Sequence, residues 1–143
     1  MVYKRIKDIR EDNDYTQEYV SYKLNVNRST YANWENGDIV IPLDKLDELS
    51  LLYNIPISYL VGEVKTVNKK ITIKPINYEL LLSKLNSMKK ERKQTYHEIG
   101  NAIGVFESTV YKYYSGERHI PVDKLILLSR FYNCNIDELL GKI

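Results

Sequence analysis

Apolar residues recur along the chain in short helical stripes, and the stripes come twice. Val2, Ile6 and Ile9 stand at helical spacing, as do Leu81, Leu85 and Met88 further on, which is the pattern of one buried helix face. Thr16 and Thr95 suit the N-cap of a second short helix, whose apolar face is Val20 and Leu24, or Ile99 and Ile103. That helix ends at Asn25 or Gly104, residue types that tolerate the left-handed backbone of a tight turn. A third helix then begins near Arg28 or Glu107, turning Tyr31 and Trp34, or Val110 and Tyr113, inward until Gly37 and Gly116 stop it. Pro42 and Pro121 open a fourth at its first turn, where a missing N–H does no harm. Its stripe is Leu46, Leu49 and Leu52, or Leu125, Leu128 and Phe131, and a last turn, "ISYLVG" or "IDELLG", follows.

The two series are one unit written twice. "NRSTYANWENG" ends at Gly37 and "FESTVYKYYSG" at Gly116, a shift of 116 − 37 = 79, and that shift pairs residues 16–62 with 95–141 without a gap. "IPLDKL" (41–46) meets "IPVDKL" (120–125), and Tyr53-Asn54, Ile57 and Leu60 meet Tyr132-Asn133, Ile136 and Leu139. Five short helices per unit predict an all-α chain with domains over 1–62 and 78–143. The second and third helices have helix-turn-helix proportions. Between the domains, "EVKTVNKKITIKPIN" (63–77) alternates around Ile71 and Ile73, predicting a hairpin turning at Asn68-Lys69 or an extended basic linker. Fifteen residues reach about 50 Å stretched and average about 20–23 Å as a coil. Adjacent major-groove half-sites lie about 34 Å apart, so one chain can span two.

Charge qualifies this picture. Residues 1–62 hold seven Lys/Arg against ten Asp/Glu (−3), residues 63–77 four against one (+3), and residues 78–143 ten against eight (+2). A nucleic-acid binder is usually basic on one face, and the first unit is acidic. Single Cys134 excludes an internal disulfide; its place in the repeat matches Ile55 and predicts a buried small hydrophobe. His97 and His119 lack the spacing of a helical metal pair, so no metal and no cofactor is expected. No nucleophile stands beside a base, and no phosphate-cradling glycine loop appears, which excludes the common enzyme motifs. The opening "MVYKRIKDIRED" lacks a signal-peptide run and no stretch suggests a membrane span; cytoplasmic residence is expected.

Each unit resembles the helix-turn-helix domain of phage repressor and Cro proteins, the xenobiotic-response-element type. Unit one carries the resemblance in "TQEYVSYKLNVNRSTYANWENG": Thr-Gln at the second helix, and Trp-Glu-Asn-Gly ending the third. It covers nearly all of both units and implies two tandem five-helix, lambda-repressor-like domains binding double-stranded DNA. By that resemblance the third helix lies in the major groove, with Arg28, Ser29 and Asn33, or Glu107, Ser108 and Lys112, at base edges. Arginine suits guanine O6 and N7, asparagine suits adenine N6 and N7, and Glu107 can read cytosine N4. Gln17, Thr30, Asn36, Thr109 and Arg118 fall at phosphate positions. Arg10 and Glu35 match a structural pair of the family, replaced in unit two by Lys89 and Tyr114. Trp34 and Tyr113 are expected in the core.

Plainer readings stand beside these. Ser29, Thr30, Ser108 and Thr109 suit first-turn N–H groups as well as phosphate. Tyr111 suits a thymine methyl or a partner protein equally. The chain therefore reads as a DNA-binding transcriptional repressor, alone or as a homodimer. Its rival is a non-catalytic interaction module retaining the fold, with at most one unit on DNA; a third possibility gives one unit to each task.

Overall fold

The computed structural model describes residues 3–143, so the stripe position Val2 lies outside the described residues. Ten helices and no strand occur among them, and they divide into two compact units, the first ending at Pro75 and the second being Ile76–Ile143.

In the first unit the helices are α1 (Lys4–Asp12), α2 (Gln17–Lys23), α3 (Arg28–Asn36), α4 (Leu43–Tyr53) and α5 (Ile57–Leu60). Ile6 and Ile9 are the buried face of α1, and Tyr31 and Trp34 that of α3. Leu43, Leu46 and Leu49 bury from α4, while Leu52 is only half-buried. Fully burying one such aliphatic side chain contributes about 1.5–3 kcal/mol. Thr16 Oγ1 accepts from Tyr19 N at 3.0 Å and so caps α2. Asn25 has φ 56°, and Gly37 ends α3 at φ 83°. Pro42 stands at the N-cap of α4 rather than inside its first turn.

Residues 63–75 belong with this unit. The Arg5 guanidinium donates to the carbonyls of Tyr59 and Val64, and Ile73 N donates to Asn54 Oδ1 at 3.0 Å, with Ile73 buried. The chain turns at Asn68, whose carbonyl accepts from Ile71 N, and no strand forms on either side of the turn. The alternation around Ile71 and Ile73 buries Ile73 against the bundle; it pairs no ladder.

The second unit repeats the plan with α6 (Tyr78–Glu91), α7 (Tyr96–Ile103), α8 (Glu107–Ser115), α9 (Val122–Phe131) and α10 (Ile136–Leu139). Thr95 Oγ1 accepts from Glu98 N at 3.1 Å, matching Thr16. Leu81, Leu85, Ile99, Ile103, Val110, Tyr113, Leu125 and Leu128 form the core, with Phe131 at its edge. Cys134, expected to be buried, is half-exposed; burial and the nearby Glu138 push its thiol pKa up.

Candidate nucleic-acid interface

The elbow between α2 and α3, and between α7 and α8, is locked in the same way in both units. Val26 N donates to Ser21 O and Val105 N to Gly100 O, each at 3.0 Å, closing the turn. A lysine from the following helix then binds the last carbonyl of the elbow's first arm: Lys45 Nζ to Leu24 O at 2.8 Å, and Lys124 Nζ to Ile103 O at 3.1 Å. A cation at a helix C-terminus also meets the favourable end of its dipole. Sequence reasoning missed both lysines, although "DKL" at 44–46 and 123–125 was the signal.

With the elbow fixed, α3 turns Tyr31, Trp34 and Glu35 inward. Arg28, Ser29 and Asn36 are left exposed, and Asn33 and Thr30 half-exposed. In α8 the inward set is Val110, Tyr113 and Tyr114; Glu107 and Ser108 are exposed, Lys112 and Thr109 half-exposed. The expected readers thus share the outward face of their helix. Asn27 and Phe106 hold the two N-cap positions without a side-chain cap bond. Of the first-turn hydroxyls, Thr30 Oγ1 reaches only Asn27 Oδ1, at 3.5 Å. Asn36 Oδ1 accepts from Asp38 N at 3.0 Å, which holds its amide at the surface. Arg118 is exposed in the corresponding loop of unit two.

Behind α3 the expected Arg10–Glu35 contact is present. Arg10 Nε and Nη2 meet Glu35 Oε1 and Oε2 at 2.6 and 3.1 Å, and Nη1 donates to Tyr15 O at 2.9 Å. Tyr31 Oη and Gln17 Nε2 also donate to this carboxylate, at 2.6 and 3.0 Å. Gln17, expected at phosphate, is therefore anchored on one side within the protein. Burial pushes the Glu35 carboxyl pKa up, but the bonds from Arg10, Tyr31 and Gln17 outweigh it and hold the group below the usual carboxylate value. Burial, then the bond to Glu35, pushes the Tyr31 phenol far up. The Tyr53 hydroxyl is buried with no partner among the described residues, and burial takes it to about 12.

Unit two replaces the carboxylate with phenols. Tyr114 Oη lies 2.8 Å from Tyr132 Oη, which donates to Gln94 Oε1 at 3.0 Å. Lys89, at the place of Arg10, stands 4.3 Å over the Tyr96 ring, and Tyr96 meets Tyr111 and Tyr114 edge-on at 5.7 and 6.2 Å. A cation–π contact of this kind is worth about 0.5–1 kcal/mol at exposed sites.

His97 and His119 lie exposed on separate elements, and no cluster of three His, Cys, Asp or Glu able to hold a metal occurs among the described residues. No helix among them is long and apolar enough to cross a membrane.

A five-helix bundle whose second and third helices meet in a tight elbow, present twice, defines a tandem helix-turn-helix protein. The chain belongs to the helix-turn-helix family HTH_3, which matches residues 6–60 and 87–139. It is similar to the cryptic phage CTXphi transcriptional repressor RstR of Vibrio cholerae, 31% identical over 75 residues, covering 52% of this chain and 68% of RstR. The HTH-type transcriptional regulator ImmR of Bacillus subtilis strain 168 is 35% identical over 69 residues, covering 48% of this chain and 54% of ImmR. A crystal structure of a transcriptional regulator from Listeria innocua matches at 35% identity and TM-score 0.42, covering 44% of this chain and 59% of that one. The match thus spans little more than half the length of ImmR.

Proposed function

We propose that this chain is a sequence-specific double-stranded DNA-binding regulator that represses transcription by occupying promoter DNA. The observation that carries the reading is the outward face of α3 and α8. In both units the readers stand clear of the core, on a helix whose other face is fixed by buried aromatics. Arg28 and Asn33 carry donors suited to purine edges, Glu107 an acceptor and Lys112 a donor, while Ser29 and Ser108 suit either. Thr30, Asn36, Thr109, Arg118 and the second amide hydrogen of Gln17 supply phosphate contacts. Repression follows RstR, whose name states that activity, and the mechanism is steric exclusion of polymerase.

Binding of the full chain to fragments of its source genome tests this. With six or so phosphate contacts, affinity falls about a thousandfold between 50 and 200 mM salt. Arg28→Ala lowers selectivity by about 1–3 kcal/mol at the guanine it reads. Absence of any affinity at 50 mM salt overturns the proposal.

A second reading has its own observation. Ile39 and Val40 are 51% and 42% exposed in the loop after α3, where unit two carries Arg118 and His119. Together with the −3 charge of residues 1–62, these side chains favour unit one as a protein-pairing surface, with unit two on DNA or with neither unit there. Under that reading Arg28→Ala leaves DNA binding unchanged, whereas Ile39→Asp disrupts a homodimer.

A further inference from the structure

Phe106 exposes 84% of its surface at the N-cap of α8. Nothing in folding accounts for it there. The N-cap favours Ser, Thr, Asp or Asn, whose side chains bond the first-turn N–H groups. Phe106 caps nothing and is not buried in the core. Its counterpart in unit one, 106 − 79 = 27, is the polar Asn27. One and a half turns further on, Tyr111 exposes 50% of its surface, with its ring set edge-on to Tyr96 at 5.7 Å, where unit one has Ala32. The outward side of α8 thus carries two aromatic groups that have no counterpart on α3. Charged Glu107 and Lys112 stand among them, so they form two separate apolar points rather than a continuous patch of the kind that covers a protein partner.

In the major groove the only apolar group a base presents is the 5-methyl of thymine, and cytosine presents a donor, N4–H2, and no acceptor of its own. We propose that Phe106 and Tyr111 determine specificity by closing on thymine methyls, so that unit two reads pyrimidines where unit one reads purine edges. Glu107, between them in sequence, accepts from cytosine N4. This rests on the DNA-binding reading above.

The experiment uses the full chain and a duplex selected by it from a random-sequence pool. Each thymine is replaced in turn by deoxyuridine, which removes only the methyl group. One or two replacements in the unit-two half-site weaken binding about fourfold each, the value of one methyl-sized apolar contact. Phe106→Ala and Tyr111→Ala each remove the thymine–uracil difference at one of these positions, while Arg28→Ala leaves it intact. Phe106 is exposed, so its truncation leaves the core untouched; the elbow itself is monitored by far-ultraviolet circular dichroism. Selective binding with no thymine–uracil difference, or a difference that survives both aromatic substitutions, overturns this inference alone. Loss of affinity in Phe106→Ala that is equal on thymine and uracil duplexes overturns it too, and assigns Phe106 to contacts between protein chains. Failure of the chain to select any duplex overturns the DNA-binding reading, and this inference falls with it.

Discussion

Glu35 and Tyr114 occupy the same place in the two repeats, since 114 − 79 = 35, yet they anchor α3 and α8 by different chemistry. Glu35 is a buried carboxylate gathering Arg10, Tyr31 and Gln17; Tyr114 passes a hydrogen bond to Tyr132 and on to Gln94. A buried charge is stable only while paired, and removing one partner of a buried pair costs about 3–5 kcal/mol. Arg10→Ala is therefore expected to unfold unit one or bring it close to unfolding, and fluorescence reads this unit selectively because Trp34 is the only tryptophan. The acid response follows with a definite sign. Glu35 is held below the ordinary carboxylate value of 4.5, so its contribution is present above that value and is lost as pH falls through the lower, folded one. The urea midpoint read from Trp34 should fall from about pH 5 downwards, and Glu35→Gln should flatten that fall while lowering stability at pH 7. An acid response identical in wild type and Glu35→Gln would deny the carboxylate this role. Burial raises both the Tyr31 and Tyr114 phenols; the stability they carry is present below the usual phenol value and lost only as pH climbs through the raised one, in both units alike.

The elbow is where a helix-turn-helix is made or lost, and its two halves differ in how far the sequence revealed them. Thr16, Thr95, Gly37 and Gly116 were legible because caps and left-handed stops are local, set by one residue's own backbone and its neighbours. Lys45 and Lys124 were not, because their partners, Leu24 O and Ile103 O, lie 21 residues away in each case and show only in three dimensions. The Arg10–Glu35 pair was legible through family resemblance; its wider set, with Tyr31 and Gln17, was not, since neither residue type announces a carboxylate partner. The outward faces of α3 and α8 could be placed from the positions of Tyr31, Trp34, Val110 and Tyr113, because helical period alone fixes what lies opposite a buried residue. Phe106 escaped notice because an apolar residue beside a turn reads as core until its exposure is seen. Lys45→Met keeps the length of the side chain and removes its charge and donors. It should lower amide-exchange protection at Leu24, Asn25 and Val26 about tenfold, the equivalent of ~1.4 kcal/mol. Unchanged protection there would mean that the backbone bonds of the turn suffice without the lysine.

Duplication gave one chain two third helices, α3 and α8, and the copies differ both in the buried partners behind them and at their outward positions. Thr30 and Thr109, Ser29 and Ser108 and the stopping glycines are shared, whereas Asn27, Arg28, Ala32 and Asn33 stand opposite Phe106, Glu107, Tyr111 and Lys112 in the second copy. None of these eight is buried, so exchanging them leaves the buried side chains of the bundle in place. A chain that binds through both units should therefore recognise two unlike half-sites, and the difference should travel with these four positions. Asn27→Phe, Arg28→Glu, Ala32→Tyr and Asn33→Lys together give α3 the base-facing residues proposed for α8 while leaving Tyr31, Trp34, Glu35 and Asn36 in place. Selection of duplexes from a random pool should then return two like half-sites where the unaltered chain returns two unlike ones. Surface substitutions of this kind usually change stability by no more than about 0.5 kcal/mol each, so the Trp34 unfolding transition serves as the control for an intact unit one. If the exchanged chain folds and still selects the original pair, base reading does not reside in these side chains. The acidic first copy would then be better understood as a surface for pairing with protein, and the +2 charge of residues 78–143 as what remains for DNA.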